Sequence, residues 1–529
     1  MRYTKLDVGS TPPRVEVPRE YNASVDFIDR NLDQGRGDKP AYIDCSGPHT
    51  YRELAERANR AGNALLGTGL VMEQRVMMCL LDTIDFPAVF LGAIRAGLVP
   101  IPVNTLLTPK DYDYMVRDSR ARALVISEAL FEKFERVLED QPHLQTVIVA
   151  GDDGRGHARL ADLAAAASAD LEPAPTTCDD VAFWLYTSGS TGTPKGSMHL
   201  QADLVHSAAC YGLGVLGIEA DDVVFSAAKL FFAYGLGNAL SFPLLVGATA
   251  VLLADRPTPD SIMATLAAHD PTIYFGVPTL YGAILADPAN GRDRGSARLR
   301  VCVSAGEALP ERVGVAWQER FGVEILDGLG STEMTHIFLS NRAGRVRYGT
   351  SGHAVPGYEL RVVAEDGAEA GPGEIGELWV SGATSAIAYW NQREKSRDTF
   401  QSRWTRTGDK YMVDEQGAYV YCGRTDDMLK VSGHWVSPFE VESALVAHDH
   451  VLEAAVVGQA DDSKLLKPKA FIVLKDGVQP SADLEQGLKD FVKGELAPFK
   501  YPRWIEFVDS LPKTATGKIQ RFKLRDHAD

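Results

Sequence analysis

Alternating strand-like and helix-like segments are the feature that most restricts how this chain can fold. Residues 75–81 and 98–104 are predicted to be buried strands, and 85–97 between them a helix with proline in its first turn and glycine at its end. Two strands joined by a helix form a βαβ unit, whose strands are parallel. Similar apolar runs that end in glycine or another small residue occur at 222–228, 272–278, 299–306 and 323–330. The pattern predicts an α/β fold with parallel sheets and ligands at the strand ends.

Two further helix starts can be predicted from capping patterns. Thr50 and Glu53 have the spacing of a capping box, and apolar residues follow them at helical intervals. Ser437 and Pro438 open a second helix, because proline is favoured in the first turn.

The chain is long enough to require more than one domain. Its 529 residues exceed what a single hydrophobic core supports. After Gly371 the sequence pattern changes to short strand-like segments separated by turns. The last hundred residues, from about Asp426, have the pattern of a separate small α+β domain. We expect a large N-terminal domain over 1–425, with parallel sheets flanked by helices plus a β-rich subdomain, and a small mobile domain over 426–529.

Net charge and cysteine usage exclude several classes of function. With 54 basic and 71 acidic residues the net charge is −17, which argues against a nucleic acid partner. The six cysteines are scattered singly, without a zinc-site pattern, and predict a reduced, cytosolic protein. No apolar run of a signal peptide opens the chain, and residues 240–254 are interrupted by proline and glycine, so we predict buried core there and no membrane partner.

The segment YTSGSTGTPKG, residues 186–196, has the composition of a phosphate-binding loop. It fails the P-loop pattern because Pro194 and Gly196 flank Lys195, where that pattern requires Gly before and Ser or Thr after the lysine. Glycines still allow backbone N–H groups to converge on an anion, hydroxyls add donors, and Lys195 adds charge. A flexible polar linker is the alternative, although the preceding strand and the embedded Pro-Lys-Gly argue against it.

This loop and five later motifs occur in the order typical of one superfamily. The chain resembles the acyl-adenylate-forming enzymes, which comprise acyl- and aryl-CoA ligases, adenylation domains and luciferases, over almost its entire length. The later motifs are SAGEAL (304–309), DGLGSTE (327–333), TGD (407–409), GRTDDMLKVSG (423–433) and LPKTATGKIQR (511–521). One departure is Leu329, which stands where the motif Y-G-x-T-E commonly has an aromatic residue.

The resemblance implies an enzyme that uses ATP, Mg²⁺ and coenzyme A. A carboxylate attacks the α-phosphorus of ATP, pyrophosphate leaves, and the CoA thiol then attacks the acyl-adenylate. By residue match, the expected catalytic residues are Lys518, Thr332, Glu333 and Lys430, with Glu333 also the Mg²⁺ ligand. The expected ATP and AMP contacts are Thr187, Ser188, Gly189, Ser190, Thr191, Gly192, Lys195, Ala305, Gly306, Glu307, Asp327, Gly328, Ser331, Asp409 and Arg424.

A rotating small domain is also implied by the resemblance. Asp426 matches the family hinge, so rotation after adenylation would exchange Lys518 for the segment that carries Lys430. Ser432, Gly433 and Trp435 would then line a tunnel for the pantetheine arm of CoA. Without the resemblance, Lys518 reads as part of a solvated basic tail, in which seven Lys and Arg face two acidic residues between positions 500 and 525.

The acyl substrate is indicated by three segments, 227–238, 331–341 and 430–442, which are most similar to aryl-CoA ligases of the benzoate type. The pocket residues implied are Phe232, Ala233, Tyr234, Gly328, His336 and Ile337. A flat ring fits between aromatic and aliphatic walls better than a long chain does. Ring-substituted or heteroaryl acids, an aliphatic acid, a carrier protein as acceptor, and nucleotide binding without catalysis stay open as alternatives. The sequence also leaves monomer or homodimer open.

Overall fold

A computed structural model describes residues 3–187, 194–431, 434–461, 465–497, 499–513 and 519–525, with only the backbone of Lys430, His434, Trp435 and Phe522. The predicted α/β class is confirmed: parallel sheets covered by helices are followed by antiparallel strands and a separate C-terminal α+β unit.

The first sheet contains the predicted βαβ unit. Its five strands are all parallel. In spatial order they are Val99–Pro102, Arg75–Cys79, Ala123–Ser127, Thr146–Ala150 and Ala158–Arg159. Successive residues of a strand face opposite sides, and both sides are buried here: Val76 and Met78 join one core, while Met77 and Cys79 join another. This explains why the strand reads as a continuous apolar run.

A second, nine-stranded sheet holds the strands that end in small residues. Its six central strands are parallel, and antiparallel strands flank them. The spatial order is His353–Ala354, Ile337–Ser340, Ile325–Gly330, Val301–Ser304, Ile273–Gly276, Val223–Ser226, Thr249–Val251, Pro40–Asp44 and Gly47–Thr50. Both faces of this sheet are buried as well. Val301 and Val303 belong to the hydrophobic core that contains Val76, whereas Cys302, between them, belongs to a third hydrophobic core.

The helices pack their apolar faces against these sheets. Thr50 caps the helix Tyr51–Gly67 through the Glu53 amide, as the capping box predicts, and Asp85–Arg95 is the helix predicted from 85–97. Gly92 is required where these two helices meet, since a Cβ there would lie 2.3 Å from the Ala58 carbonyl oxygen. The other α-helices are Arg30–Asp33, Pro109–Ser119, Leu160–Ala166, Asp203–Ser207, Ala233–Leu236, Phe242–Val246, Pro259–His269, Pro278–Ala286, Glu311–Phe321 and Arg393–Thr399. Helical turns of 3₁₀ or π geometry span Val25–Asp29, Glu128–Lys133, Val137–Glu139, Ala208–Leu213, Gly237–Ser241, Arg292–Arg294 and Thr332–Met334.

A β-rich region follows the two sheets, as predicted. It is an antiparallel sheet. Its strands are Glu359–Val363, Gly376–Ser381, Phe400–Gln401, Trp404–Val413 and Tyr419–Arg424. A small antiparallel pair, Lys5–Asp7 with Arg14–Glu16, lies near the N-terminus.

The C-terminal part has its own cores. Its strands are Leu429–Val431, His434–Val436, Val451–Ala460, Leu466–Leu474 and Trp504–Phe507, and its helices are Pro438–Ala447, Ala482–Glu495 and Arg521–Arg525. Ser437 caps the helix that begins at Pro438, as predicted. Two hydrophobic clusters are formed by residues of this part, one around Val456 and Leu488 and the other around Phe471.

Residues 240–254 are core, as the sequence predicts, and form the helix Phe242–Val246 and the strand Thr249–Val251. Among the described residues no helix is both long and apolar enough to cross a bilayer.

Candidate active site

The glycine-rich segment connects two antiparallel strands, not two strands of a parallel sheet. Val181–Thr187 pairs with Lys195–Leu200, and Thr187 lies opposite Lys195. Seven residues lie between the two strands, which is too few for the crossover that parallel strands require. Ser188, Gly189, Ser190, Thr191 and Gly192 lie outside the described residues.

Lys195 is the first residue of the second hairpin strand and lies near an aromatic ring and a carboxylate. Its ammonium nitrogen lies 4.7 Å from the ring centroid of Tyr389. The Tyr389 hydroxyl donates a 2.6 Å hydrogen bond to Glu333 Oε1. Burial lowers the pKa of Lys195, and the charges of Glu333 and Asp426 act against that shift. The predicted metal ligand Glu333 and the predicted hinge residue Asp426 therefore lie close enough to the predicted phosphate-binding Lys195 for their charges to affect it.

Glu333 belongs to a short helical turn, Thr332–Met334, that directly follows the strand Ile325–Gly330 and Ser331. Its carbonyl oxygen accepts a 2.8 Å hydrogen bond from the Ala386 amide. The side chain and the backbone of Glu333 are thus both held by the segment 384–389. That segment was absent from the residues singled out in the sequence.

Asp409 and Arg424 form an ion pair across neighbouring strands. They lie opposite each other in the antiparallel ladder, and Arg424 Nη1 is 3.0 Å from Asp409 Oδ1. Asp409 is 6% exposed, and its charge raises the pKa of the Arg424 guanidinium. A carboxylate accepts about four hydrogen bonds, so an arginine contact and ribose hydroxyls are compatible at this group.

The predicted adenine contacts lie at one edge of the nine-stranded sheet. Ser304 and Asp327 are register partners in neighbouring parallel strands, so Ala305, Gly306 and Glu307 leave the sheet beside Asp327 and Gly328. Burial raises the pKa of Asp327 to about 8, against hydrogen bonds from nearby backbone amides. Its Oδ1 is buried without a hydrogen-bond partner among the described residues.

Gly328 and Ile337 lie in neighbouring antiparallel strands, in which Gly328 pairs with Ser340 and Ile337 with Gly330. A Cβ at Gly328 would lie 2.9 Å from Ile337 Cγ2 and 3.1 Å from the Leu339 carbonyl oxygen, so no larger residue fits without a shift. Leu329, the departure from the motif, lies opposite Leu339 and packs on the central core.

His336 is surrounded by aromatic rings. Its ring centroid lies 5.3 Å from Tyr211, 5.5 Å from Tyr234 and 4.5 Å from Phe242. Burial lowers the pKa of His336 to about 3, so the ring is neutral at physiological pH. The predicted pocket residues Tyr234 and His336 therefore lie together, whereas the Phe232 ring packs on Phe231 at 4.4 Å. Ala233 begins the helix Ala233–Leu236 beside them.

The hydrogen bonds of His336 define its tautomer. Nε2 lies 3.0 Å from Asn238 Oδ1 and 3.1 Å from the Tyr234 carbonyl oxygen. Both are acceptors, which assigns the ring hydrogen to Nε2. Nδ1 is consequently a lone-pair acceptor, and it has no partner among the described residues.

Several predicted residues lie outside this description. Lys518, Ser432 and Gly433 are not among the described residues, and for Lys430 and Trp435 the backbone shows only that they are register partners in a small hairpin. Asp426 lies in the turn that follows Arg424.

The donor set around Glu333 suits a magnesium ion bound chiefly by a nucleotide. Within the described ranges no three His, Cys, Asp or Glu side chains cluster as a metal site. Mg²⁺ commonly takes one or two protein carboxylates and completes its shell with water and phosphate oxygens. One carboxylate beside a lysine fits that mode and does not fit a cage made by the protein alone.

Tyr389 and His199 are the residues at this site that sequence reasoning missed. Tyr389 lies in the apolar segment SAIAYW, and His199 lies in the strand after the loop. Neither carries a local signal, because each contact joins residues far apart in the chain. Only their hydrogen bonds, to Glu333 and to the Thr332 carbonyl, reveal them.

Tyr389→Phe is expected to slow the predicted release of pyrophosphate from ATP, for which Glu333 is the predicted Mg²⁺ ligand. The variant keeps the ring under Lys195 and removes only the hydroxyl that orients Glu333. A lost hydrogen bond to a charged group costs about 1.5–3 kcal/mol, or roughly 10- to 100-fold in rate. Pyrophosphate release with saturating ATP measures it. An unchanged rate would show that Glu333 does not need this partner.

Comparisons with known proteins identify the family. Residues 28–390 match the AMP-binding enzyme family, and residues 440–518 match the AMP-binding enzyme C-terminal domain. The chain therefore belongs to the AMP-binding enzyme family, and the resemblance to adenylate-forming enzymes is confirmed.

Particular relatives are similar over nearly the whole chain. A benzoate–CoA ligase of Thauera aromatica is 60% identical over 98% of both chains. The crystal structure of a benzoate CoA ligase from Burkholderia xenovorans LB400 is 52% identical, with a TM-score of 0.89 over 95% of this chain and 99% of that one. The anthranilate CoA ligase AuaEII, solved with anthranoyl-AMP, is 43% identical, with a TM-score of 0.92 over 97% and 98%.

Proposed function

We propose that this protein activates benzoate with ATP and transfers the benzoyl group to coenzyme A, giving benzoyl-CoA, AMP and pyrophosphate. The observation that carries the proposal is a neutral cluster of buried aromatic rings around His336, which lies two residues after the turn that holds Thr332 and Glu333. The relatives that act on benzoate and its analogues support the same substrate class.

The first half-reaction needs charge neutralisation more than covalent chemistry. A benzoate oxygen attacks the α-phosphorus of ATP, the bond to the β-phosphate oxygen breaks, and pyrophosphate leaves. We assign Lys195 to offsetting phosphate charge and Glu333 to holding Mg²⁺, which would neutralise the nucleotide oxygens. We assign Lys518 to the approach of the two anions, since an ammonium ion there lowers their repulsion in the transition state.

The nucleotide is held, in this proposal, at the edge of the nine-stranded sheet. The unpartnered Oδ1 of Asp327 supports binding of a ligand with an N–H donor, such as an adenine amino group. The backbone at 305–307 and the residues Gly328 and Ser331 complete that wall. Asp409 accepts from the ribose hydroxyls while Arg424 remains paired to it.

The pocket favours a flat acid. Tyr234 and His336 present ring surfaces, and Gly328 and Ile337 are in contact beside them. The neutral His336 adds no charge that would demand a counter-ion. Burial and dispersion then hold an aromatic ring.

The second half-reaction uses the CoA thiol as nucleophile at the acyl carbon, and AMP leaves. We propose that residues 426–529 rotate about Asp426 between the two steps, so that Lys430 replaces Lys518 and Ser432, Gly433 and Trp435 line the pantetheine path. The separate hydrophobic clusters of this part support its motion as a unit. The six unpaired cysteines support a reducing, cytoplasmic location.

A ring acid that carries a hydrogen-bond donor, such as 2-aminobenzoate, is the second candidate substrate. The unpartnered acceptor Nδ1 of His336 favours it, because an unsatisfied buried acceptor costs about 1–3 kcal/mol that a donor on the ring would recover.

A substrate panel tests both candidates. AMP formation is measured with ATP, Mg²⁺ and each of benzoate, 2-aminobenzoate, 4-hydroxybenzoate, cinnamate and a short fatty acid, with and without CoA. CoA-dependent turnover with the highest kcat/KM on benzoate supports the proposal. A highest kcat/KM on 2-aminobenzoate would favour the second candidate. A highest kcat/KM on the fatty acid, or turnover that requires a carrier protein in place of CoA, would contradict both candidates.

A further inference from the structure

His199 lies beneath the candidate active site and contacts its central turn. It is fully buried, with Nε2 2.8 Å from the Thr332 carbonyl oxygen and Nδ1 3.0 Å from Thr335 Oγ1. Asp203 Oδ2 lies 3.1 Å from the same Nδ1. Because a carbonyl can only accept, Nε2 carries a hydrogen and donates it to Thr332. His199 therefore bonds both the first residue of the turn and the residue that follows its last.

The turn that His199 holds has a strained backbone. Thr335 has φ +66° and ψ −37°, a region that a β-branched residue rarely enters. Strain of this kind persists only where surrounding contacts fix the backbone, and it concentrates at functional sites. The contact between His199 and the Thr335 hydroxyl is one of those fixing contacts.

Thr384 holds the turn Thr332–Met334 from the side opposite His199. Its hydroxyl donates to the Met334 carbonyl oxygen at 2.8 Å, and its own carbonyl accepts from Thr335 Oγ1 at 3.2 Å. The Tyr358 hydroxyl lies 2.9 Å from Thr384 Oγ1. The turn is thus clamped between the hairpin strand on one side and the segment 384–386 on the other.

The hairpin strand carries His199 and Lys195 together. Both lie in Lys195–Leu200, four residues apart, and a strand rises about 3.3 Å per residue. The hydrogen bond from His199 to Thr332 therefore fixes the strand Lys195–Leu200 against the turn that contains Glu333. Because Lys195 begins this strand, the same bond also fixes the position of Lys195 relative to Glu333.

We propose that His199 is a positioning residue for adenylation: it locks the turn Thr332–Met334 onto the phosphate hairpin, so that Glu333 and Lys195 face the same phosphates. It contacts neither substrate nor nucleotide in this assignment. The inference rests on the proposed function, because it concerns the first half-reaction of that function.

Simple core packing is the competing explanation. The His199 ring stacks on Phe183 with centroids 5.0 Å apart and an interplanar angle of 16°. If only this stacking mattered, a phenylalanine would replace the histidine without a specific effect on adenylation. The two explanations therefore differ for His199→Phe.

The test compares three variants of the full-length enzyme in separate half-reactions. His199→Gln keeps a donor near the Nε2 position, His199→Asn keeps a polar group only near Nδ1, and His199→Phe keeps the stacking surface. We measure pyrophosphate release from ATP and acid, thioester formation from supplied acyl-adenylate and CoA, and the thermal midpoint. A displacement of about 1 Å in a catalytic group costs on the order of a hundredfold in rate.

We expect kcat for pyrophosphate release to fall about a hundredfold in His199→Phe and His199→Asn, with recovery to within about tenfold of wild type in His199→Gln. Thioester formation from the supplied adenylate should change much less. Equal rates for the Phe and Gln variants, or equal losses in both half-reactions, would overturn the assignment.

Two further variants separate positioning from stability. His49→Phe breaks another buried His–Asp pair, with Asp44 at 3.0 Å, away from the turn, and should leave pyrophosphate release per folded enzyme unchanged. Thr335→Gly accepts the positive φ but removes the hydroxyl, so it should slow adenylation per folded enzyme more than thioester formation from supplied acyl-adenylate. A slow His49→Phe or a fully active Thr335→Gly would contradict the proposal.

The wild-type enzyme separates failure of this inference from failure of the proposed function. If wild type releases pyrophosphate with another acid instead of benzoate, the substrate is wrong and the variants are compared on that acid. If wild type activates no acid at all, the function and this inference fall together. An active wild type with an equally active His199→Phe overturns the inference alone.

Discussion

Lys518→Ala is expected to reduce benzoate-dependent pyrophosphate release by about a thousandfold, which is the upper range for removing one preorganised electrostatic group. Thioester formation from supplied benzoyl-adenylate should fall by less than about tenfold, because the second step has no pair of anions to bring together. The ratio of the two rates, measured on the same preparation, checks the prediction.

The described residues that flank Lys518 in the chain are fixed to the rest of the C-terminal part. Lys513 and Ile519 form a β-bridge across the intervening residues. Arg521 donates to Glu442 through Nε at 3.0 Å and Nη2 at 2.6 Å, and Arg525 pairs with Asp427 beside the proposed hinge. If residues 426–529 rotate as proposed, we therefore expect Lys518 to move with them.

A matched variant tests whether local positive charge alone is responsible. Lys523→Ala removes one charge from the same basic tail at an exposed position and should leave both half-reactions nearly unchanged. If Lys523→Ala loses as much pyrophosphate release as Lys518→Ala, the basic tail acts as a whole. Equal losses of both half-reactions in Lys518→Ala would remove the role assigned to that residue.

Glu333→Gln is expected to slow adenylation by about a hundredfold or more. Glutamine preserves the shape and an acceptor for the Tyr389 hydroxyl, but it removes the charge that we assign to Mg²⁺. We therefore expect a higher Mg²⁺ concentration for half-maximal pyrophosphate release. A Mg²⁺ titration of both enzymes measures this, with Glu415→Gln, an exposed carboxylate in a turn, as control.

The same variant has a predictable pH dependence. The Glu333 carboxylate raises the pKa of Lys195 against the effect of burial. Without that carboxylate the ammonium is less stabilised, so its pKa falls and the proton is lost at lower pH. The alkaline limb of kcat/KM for adenylation, which reports the free enzyme, should move to lower pH. A limb that stays in place or moves to higher pH would contradict the electrostatic pairing of Lys195 and Glu333.

Local patterns were sufficient for most of the fold. The capping box at Thr50 and the apolar run from Arg75 to Cys79 specify a helix start and a buried strand through neighbours in sequence, so they could be predicted. The pairing of Val181–Thr187 with Lys195–Leu200 was not predicted, because local patterns specify that a strand exists and not which strand it pairs with.

The sequence by itself determined the class of protein, the order of its motifs and the chemistry that those motifs imply. Tertiary structure alone decided which side chains support them: Tyr389 under Lys195, His199 under Thr332, and Asn238 beside His336. These partners lie 98 to 194 positions apart in the chain. Motifs reflect contacts with a ligand that each residue makes directly, whereas supporting contacts arise only when the chain brings distant segments together, and periodicity along the sequence carries no record of them.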